Sequence, residues 1–244
     1  MLIILHGLFG MLDNWATLSK RFAEQYTVYA IDQRNHGKSD HADAFSYDLL
    51  AQDLLEFMDS HDIYTANLLG HSMGGKTVME FTRLFPERVE RLIIADISPR
   101  RYDAKHSTII EALTQLPLEQ VKSRGDADRL LANRIEQAGV RQFLLKNIQR
   151  SDAGYSLKMN LPSLVANYSD IIGPVELGTD FDRPVLVLSG GASDYVQEAD
   201  IDHFEAHYSN VEFVQIPGAG HWLHADNPEA FFAAVTSFLE GPLY

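Results

Sequence analysis

Short apolar segments that alternate with longer amphipathic segments are the feature that most constrains the fold of this chain. Each apolar segment ends in a turn, and the segment after it has its apolar residues at helical spacing. This alternation predicts a mostly parallel sheet whose strands are joined by helices on both faces. The six expected strands are Leu2–Leu5, Thr27–Ile31, Ala66–Leu69, Arg91–Ala95, Pro184–Leu188 and Val211–Ile216. The expected crossover helices are Trp15–Gln25, Tyr47–His61, Gly74–Phe85 and Pro228–Glu240.

The stretch between residues 100 and 182 lacks strand signals and carries helical spacing instead. Most of its apolar positions fall in Ile109–Leu116, Ala127–Ala138 and Val140–Ile148. We therefore expect an inserted helical cap at 100–182, on a core formed by residues 1–99 and 183–244. The cap is expected to pack over the carboxyl edge of the sheet, where open α/β sheets bind their ligands.

Charge and hydropathy argue against several classes of function. The 244 residues carry a formal net charge of −14, which repels nucleic-acid phosphates, so we expect no nucleic-acid partner. No apolar run approaches the ~20 residues of a membrane helix, and the apolar N-terminus lacks the basic flank of a signal peptide. We expect a cytoplasmic protein with no membrane partner.

Metal and cofactor sites have no clear signature in this chain. There is no cysteine, which rules out disulfides, thiolate nucleophiles and cysteine-bound metals. His203 and His207 have the spacing of metal ligands, but Glu205 is misplaced for a His-Glu-x-x-His zinc site. We expect these histidines to lie on a solvated helix face, and we expect neither a metal nor a cofactor.

Ser72 lies in Gly70–Gly74, a Gly-x-Ser-x-Gly motif between a predicted strand and a predicted helix. In that context the motif predicts a strained turn that lifts the serine hydroxyl above the sheet, and the flanking glycines allow it. The backbone N–H of Met73, at the start of the helix, then faces an oxyanion formed on a substrate carbonyl. The motif favours a nucleophilic Ser72 over an ordinary glycine-rich turn.

The same residues also match a phosphate-binding loop. Gly70–Thr77 fits Gly-x-x-x-x-Gly-Lys-Thr, and Leu92–Asp96 resembles an apolar strand that ends in a Mg²⁺-binding aspartate. A P-loop-like nucleotide hydrolase is therefore an alternative hypothesis. It leaves an early His-Gly turn and a late histidine loop unexplained.

Those two loops fit a serine hydrolase. His6–Gly10 follows the first strand, where the backbone N–H of Leu8 is the candidate for a second oxyanion donor. Gly218–Trp222 follows the last strand and places His221 at the same sheet edge as Ser72, which suits a general base. His224 is the alternative base.

Two carboxylates satisfy the chain order serine, acid, histidine. Asp96 ends the strand after the motif helix, and Asp194 lies in the loop after the penultimate strand. The acid must lie beside the histidine ring to fix its tautomer, and either loop is able to reach it. Spacing alone favours Asp194 slightly.

Together these segments resemble the YbfF-like esterases of the α/β-hydrolase superfamily, which are related to the eukaryotic ABHD-type hydrolases. The resemblance rests on His6–Gly10, Asp13–Trp15, Asp32–Ser39, Gly70–Lys76, Asp96–Pro99, Gln142–Lys146 and Gly218–Trp222, which span nearly the whole chain. It implies an α/β-hydrolase fold, and a serine hydrolase that cleaves carboxylic esters or acyl thioesters, such as acyl-CoA, without a cofactor.

The resemblance also implies the residues of a Ser-His-Asp triad. Ser72 and His221 match the nucleophile and the base. Relatives often lack an acid at the position of Asp194 but keep the one at Asp96, and they retain a serine matching Ser193. We therefore expect Asp96 to be the triad acid, with Ser193 as an assisting hydrogen-bonding group and Asp194 as the alternative acid.

The chain departs from this family at its N-terminus. Family members usually carry an additional segment whose strand pairs at the sheet edge, whereas this chain opens on the strand before His6. We therefore count about six strands, and an unprotected edge is compatible with an edge-paired homodimer. A non-catalytic binding protein on the same fold is the remaining alternative, although an intact Ser72 and His221 argue against it.

Overall fold

The computed structural model describes residues 1–152, 154–179 and 181–242. Ala153 and Asp180 of the predicted cap, and Leu243 and Tyr244 of the predicted core, lie outside the described residues. The predicted six-stranded sheet is confirmed. Its strands are β1 (Leu2–Leu5), β2 (Val28–Ile31), β3 (Ala66–His71), β4 (Val89–Ala95), β7 (Val185–Gly190) and β8 (Val211–Ile216). The strand order is β2-β1-β3-β4-β7-β8, and all of the strand pairs are parallel.

Helices join successive strands of this sheet. Those outside the 100–182 segment are α1 (Ala16–Phe22), α2 (Tyr47–Ser60), α3 (Met73–Leu84), α9 (Glu198–His207), α10 (Leu223–Asp226) and α11 (Pro228–Glu240). Two of them begin with side-chain caps: Ser46 accepts a hydrogen bond from the N–H of Leu49, and Asn227 accepts one from the N–H of Ala230. The four predicted crossover helices are therefore present, with ends shifted by at most a few residues.

The alternating side chains of the strands divide the core between the two faces of the sheet. Ile3 and Leu5 face the layer of α2 and α3, which contributes Leu54 and Phe81. Leu2 and Ile4 face the opposite layer, to which α1 and α11 contribute apolar residues such as Phe231. Because both faces are covered, β1 is apolar and buried at every position.

The segment between β4 and β7 is mostly helical, but it also contains a hairpin that the sequence did not predict. Its elements are α4 (Ser107–Thr114), α5 (Arg124–Ala132), α6 (Ala138–Leu145), β5 (Ile148–Ser151), β6 (Gly154–Leu157), α7 (Leu161–Ala166) and α8 (Tyr168–Ile171). We had expected Ile148 at the end of a helix, whereas it begins β5. The rest of β5 is exposed and polar, so it lacks the apolar alternation of a half-buried strand.

Apolar residues of this segment form a third cluster against the sheet edge. Leu113, Leu144 and Leu164 pack there with Leu8 and Met73, two residues of the predicted oxyanion loops. The segment therefore lies over the carboxyl ends of β1 and β3. In the described ranges, no helix is both long enough and apolar enough to cross a membrane.

Candidate active site

Ser72 lies at a strained turn between β3 and α3. Its φ of 54° and ψ of −120° put a non-glycine residue in a region that costs roughly 1–3 kcal/mol. The turn is tight, because a Cβ on Gly70 would come closer than 3.0 Å to the carbonyl oxygen of Gly74, and one on Gly74 equally close to that of Leu5. The two glycines of the motif thus permit this backbone, which presents the Ser72 hydroxyl at the sheet edge.

His221 is within hydrogen-bond distance of Ser72. Its Nε2 lies 3.0 Å from the Ser72 Oγ, and its Nδ1 lies 2.8 Å from Oδ2 of Asp96. The Tyr195 ring stacks on the imidazole with a centroid separation of 3.6 Å. The backbone carbonyl of His221 lies 2.7 Å from Nε2 of His71. The ring is therefore held by contacts on several sides with its two nitrogens facing a hydroxyl and a carboxylate.

Asp96 is fully buried at the end of β4 and receives two further hydrogen bonds. The backbone N–H of Gly190 donates to Oδ1 at 2.9 Å, and the Ser193 hydroxyl donates to Oδ2 at 2.5 Å. Both donors belong to the end of β7 and the loop after it, and β7 is the neighbour of β4 in the sheet. The carboxylate is thereby oriented toward His221.

Asp194 does not reach His221, although spacing alone had slightly favoured it. Its side chain is 68% exposed and pairs with Nζ of Lys105 at 2.5 Å. The hydrogen bond from Lys105 lowers the pKa of the Asp194 carboxyl. Of the two candidate acids, the structure brings Asp96 to the histidine and leaves Asp194 at the surface.

Leu8 and Met73, the candidates for oxyanion donors, lie beside Ser72. Met73 is the first residue of α3, where an N–H has no intrahelical acceptor. The Leu8 N–H donates no hydrogen bond within the described part of the chain. Leu8, Met73 and Ser72 line one cavity, so the structure brings both candidates to the serine.

The loop that carries Leu8 is held by residues to which the sequence analysis assigned no individual role. Nε2 of His36 accepts a hydrogen bond from the N–H of Phe9, and Nε2 of His6 accepts one from the N–H of Gln33. The Gln33 side chain bridges the carbonyl of His6 and the hydroxyl of Thr77 on α3. The Asp32–Ser39 segment, a family landmark, therefore fixes the oxyanion loop to the nucleophile helix.

Burial keeps most histidines around the site neutral. It lowers the pKa of His6 to about 4 and that of His36 to about 3. It also lowers the pKa of His224 to about 3. His224 stacks on Trp15 at 4.2 Å, and no hydrogen bond links it to Ser72. The alternative base is thus a buried packing residue beside the site.

Two small cavities, each of about 30 Å³, flank Ser72. The first is lined by His221, Phe143 and Trp222, and we call it the leaving-group cavity for the role proposed below. The second is lined by Met73 and by Tyr47, Tyr102, Ile171, Ile172 and Tyr195, and we call it the acyl cavity, likewise for its proposed role. Leu8, Ser72 and His106 line both. A larger cavity of about 350 Å³ beside β2 and α2 has none of the triad candidates in its lining.

Lys76 and Asp96, the two residues that the phosphate-loop hypothesis requires, have other partners in the structure. The Lys76 ammonium is buried and donates to the carbonyl of Arg100 at 2.7 Å and to that of Gly173. Asp96 is bound to His221, Gly190 and Ser193, as described above. Neither residue is arranged to hold a nucleotide phosphate or its Mg²⁺.

The remaining histidine pair lies away from this site. On α9, His203 is exposed and its ring lies 4.6 Å from that of His207. Over the described ranges, no group of three or more histidine, aspartate or glutamate side chains is able to hold a metal ion.

Comparison with known proteins decides the family. Residues 1–228 match the family model described as alpha/beta hydrolase fold. The chain belongs to the α/β-hydrolase family. It is 34% identical over 239 residues to Esterase YbfF of Escherichia coli (strain K12), covering 98% of this chain and 92% of that protein. It is also 34% identical over 247 residues to the sn-1-specific diacylglycerol lipase ABHD11 of Danio rerio, covering 98% of this chain and 78% of that protein.

Solved structures of other hydrolases are also similar to this α/β hydrolase. A marine microorganism esterase superposes with a TM-score of 0.94 at 41% identity, covering 97% of this chain and 94% of that one. The E-2-(acetamidomethylene)succinate hydrolase, with a TM-score of 0.82 at 22% identity, shares the fold alone. The predicted fold and the resemblance to YbfF-like esterases are confirmed. The named relatives also agree with the prediction of a carboxylesterase-type hydrolase.

Proposed function

We propose that this protein is a serine hydrolase that cleaves carboxylic esters or acyl thioesters through a Ser72–His221–Asp96 triad. The observation that carries the proposal is the continuous hydrogen-bond chain from the Ser72 hydroxyl through His221 to the buried Asp96 carboxylate. The names of the relatives, an esterase and a diacylglycerol lipase, support ester chemistry.

In the proposed mechanism His221 removes the proton of Ser72, and the Ser72 Oγ attacks the acyl carbonyl. The backbone N–H groups of Met73 and Leu8 stabilise the oxyanion. His221, now protonated, gives its proton to the leaving group on the side of the leaving-group cavity, which leaves an acyl-enzyme on Ser72. A water molecule deprotonated by the same ring then hydrolyses it. Asp96 holds the imidazole in the required tautomer and stabilises its charge.

The size of the acyl cavity suggests a preference for short acyl groups. At about 30 Å³ it is far smaller than the pockets of about 300–1,000 Å³ that enclose drug-sized ligands. We therefore expect acetyl and butyryl substrates to be cleaved faster than decanoyl or longer ones. The proposed mechanism cleaves p-nitrophenyl esters and acyl-CoA thioesters by the same attack and proton transfer. Measuring kcat/KM for both kinds of substrate, each with acyl groups of graded length, therefore compares the two leaving groups.

Labelling by a fluorophosphonate probe tests the nucleophile directly. Wild-type protein is expected to react at Ser72, and Ser72→Ala is expected to lose both labelling and ester turnover. An unchanged melting temperature of Ser72→Ala would show that the variant is folded, which is the control for this experiment. Undiminished labelling of the variant would disprove the assignment of Ser72, and an unlabelled, inactive wild type would favour the non-catalytic alternative.

A further inference from the structure

His106 is a half-buried histidine beside Ser72 that the proposed triad does not use. It precedes α4, which begins at Ser107, and its ring lines both the leaving-group cavity and the acyl cavity. No sequence motif pointed to it, because it reaches the site only through the segment between β4 and β7.

The Tyr168 hydroxyl is the hydrogen-bond partner of the His106 ring. It accepts the backbone N–H of His106 at 3.1 Å and lies 2.9 Å from the ring Nδ1. When this hydroxyl gives its proton to Nδ1, the lone pair of Nδ1 is occupied and the proton of the neutral ring lies on Nε2.

Burial, together with the charge that His221 carries when protonated, lowers the pKa of His106 to about 4, so the ring is neutral near pH 7. With Nδ1 accepting from Tyr168, a neutral imidazole is a donor at Nε2. In the part of the chain that the structure describes, no side chain or carbonyl accepts from this Nε2.

A donor without a protein partner at the edge of a small cavity is a recognition group for a ligand, because a ligand without an acceptor leaves it unsatisfied. The His106 and His221 side chains both line the leaving-group cavity. His221 is the group that protonates the leaving group in the proposed mechanism. The donor of His106 is therefore on the leaving-group side of Ser72.

We propose that His106 is a specificity-determining residue, whose Nε2–H binds an oxygen acceptor on the alcohol portion of the substrate next to the scissile ester bond. This inference rests on the proposed serine-hydrolase function. It predicts that esters of alcohols with an ether, hydroxyl or carbonyl oxygen near the ester are preferred over plain alkyl esters of equal length.

A matched pair of substrates tests this preference. In 2-methoxyethyl butyrate and n-butyl butyrate the alcohol portions have equal chain length, and one methylene in the second replaces the ether oxygen of the first. One neutral hydrogen bond gained at Nε2–H corresponds to about a tenfold higher kcat/KM for the methoxyethyl ester in the wild type. The ratio of the two kcat/KM values is the quantity to compare among variants.

His106→Phe, which keeps a ring but removes the donor, is expected to bring this ratio to about one. Tyr168→Phe is expected to lower it in part, because Nδ1 then competes for the ring proton. His61→Phe, at an exposed histidine beyond the end of α2, is the matched control and is expected to retain the wild-type ratio. Fluorophosphonate labelling of Ser72 in each variant shows that the site is still assembled.

Two results would overturn the inference. One is a ratio of kcat/KM values near one in the wild type. The other is a ratio in His106→Phe that equals the wild-type ratio, even where the variant cleaves both esters more slowly. These results are distinct from failure of the proposed function, in which the wild type cleaves neither ester and Ser72 is not labelled.

Discussion

The Ser193 hydroxyl and His221 Nδ1 bond to the same oxygen, Oδ2 of Asp96. The backbone N–H of Gly190 holds the other carboxylate oxygen. The carboxylate thus accepts three hydrogen bonds and has no exposed surface. Its position is fixed by the neighbouring strand β7 as much as by its own strand β4.

Ser193→Ala is expected to lower kcat by about tenfold with little change in KM. The serine does not line either cavity beside Ser72, and a hydrogen bond to a charged acceptor contributes about 1.5–3 kcal/mol, only part of which orients the carboxylate for catalysis. Steady-state kinetics with p-nitrophenyl butyrate checks this. Ser193→Thr, which keeps the hydroxyl, is expected to retain most of the activity, whereas equal losses in both variants would point to a packing effect.

Asp96→Asn is expected to lower kcat by roughly 10³–10⁴-fold, because an amide in place of the carboxylate selects the wrong tautomer of His221. Asp194→Asn is expected to change kcat by less than about threefold, since that side chain is exposed and bound to Lys105. Both variants are isosteric changes of a carboxylate near Ser193, because Asp194 is the next residue in the chain and Asp96 accepts the hydrogen bond of the Ser193 hydroxyl, so they form a matched pair. A larger loss in Asp194→Asn would assign the acid to the loop after β7.

The choice between these acids shows what the sequence alone was able to predict. The apolar alternation gave the positions of β1 and β8 to the residue, since both faces of the sheet are covered and each strand ends at a turn. Spacing alone slightly favoured Asp194, and only the family resemblance indicated Asp96. Placing Asp96 beside His221 requires that β4, β7 and β8 be neighbours in that order. Strand order depends on packing between distant segments, and no local pattern in the chain specifies it.

The parts of the site that the sequence did not reveal are likewise long-range contacts. Tyr195 stacks on His221, and His106 reaches Ser72 from the segment between β4 and β7. Neither lies in a motif with chemical meaning of its own. The Asp32–Ser39 segment was recognisable as a family landmark, but its role became clear only from the bonds of Gln33 and His36 to the oxyanion loop.

Acidification from pH 6.5 to about 4 is expected to destabilise the protein through its buried histidines. Burial depresses the folded-state pKa of His6, His36 and His224 to about 3–4, while the unfolded-state value is 6.5. Within that window the unfolded chain binds more protons, so stability is full above pH 6.5 and falls as the pH decreases. Each ring contributes up to about 1.4 kcal/mol per pH unit.

Urea unfolding at pH 7.5, 6.5, 5.5 and 5.0 measures this slope. Above pH 5 most carboxylates of the unfolded chain remain ionised, so the histidines dominate the change. His224→Phe keeps a ring against Trp15 and removes one titrating group, so its slope is expected to be smaller by about one proton. A free energy of unfolding that does not change between pH 7.5 and 5.0 would contradict the assignment of neutral buried rings.

Substitution of Lys76 distinguishes the hydrolase hypothesis from the nucleotide hypothesis. Its ammonium holds the carbonyls of Arg100 and Gly173, which lie at the two ends of the segment between β4 and β7. Lys76→Met keeps the apolar part of the side chain but leaves both carbonyls without this donor. We expect a loss of roughly 1–3 kcal/mol in the free energy of unfolding, with fluorophosphonate labelling of Ser72 retained.

The difference in unfolding free energy between the wild type and Lys76→Met is also expected to depend on pH. Burial, followed by the charges of Arg100 and Arg101, lowers the pKa of Lys76 to about 7 from 10.5. The unfolded chain therefore binds more protons between pH 7 and 10.5, and the wild type is expected to gain stability relative to Lys76→Met as the pH rises through that range. ATP with Mg²⁺ should raise the melting temperature of neither protein, since a ligand bound only by the folded state must stabilise it. Stabilisation of the wild type by ATP that disappears in Lys76→Met would instead identify Lys76 as a phosphate ligand and favour the nucleotide hypothesis.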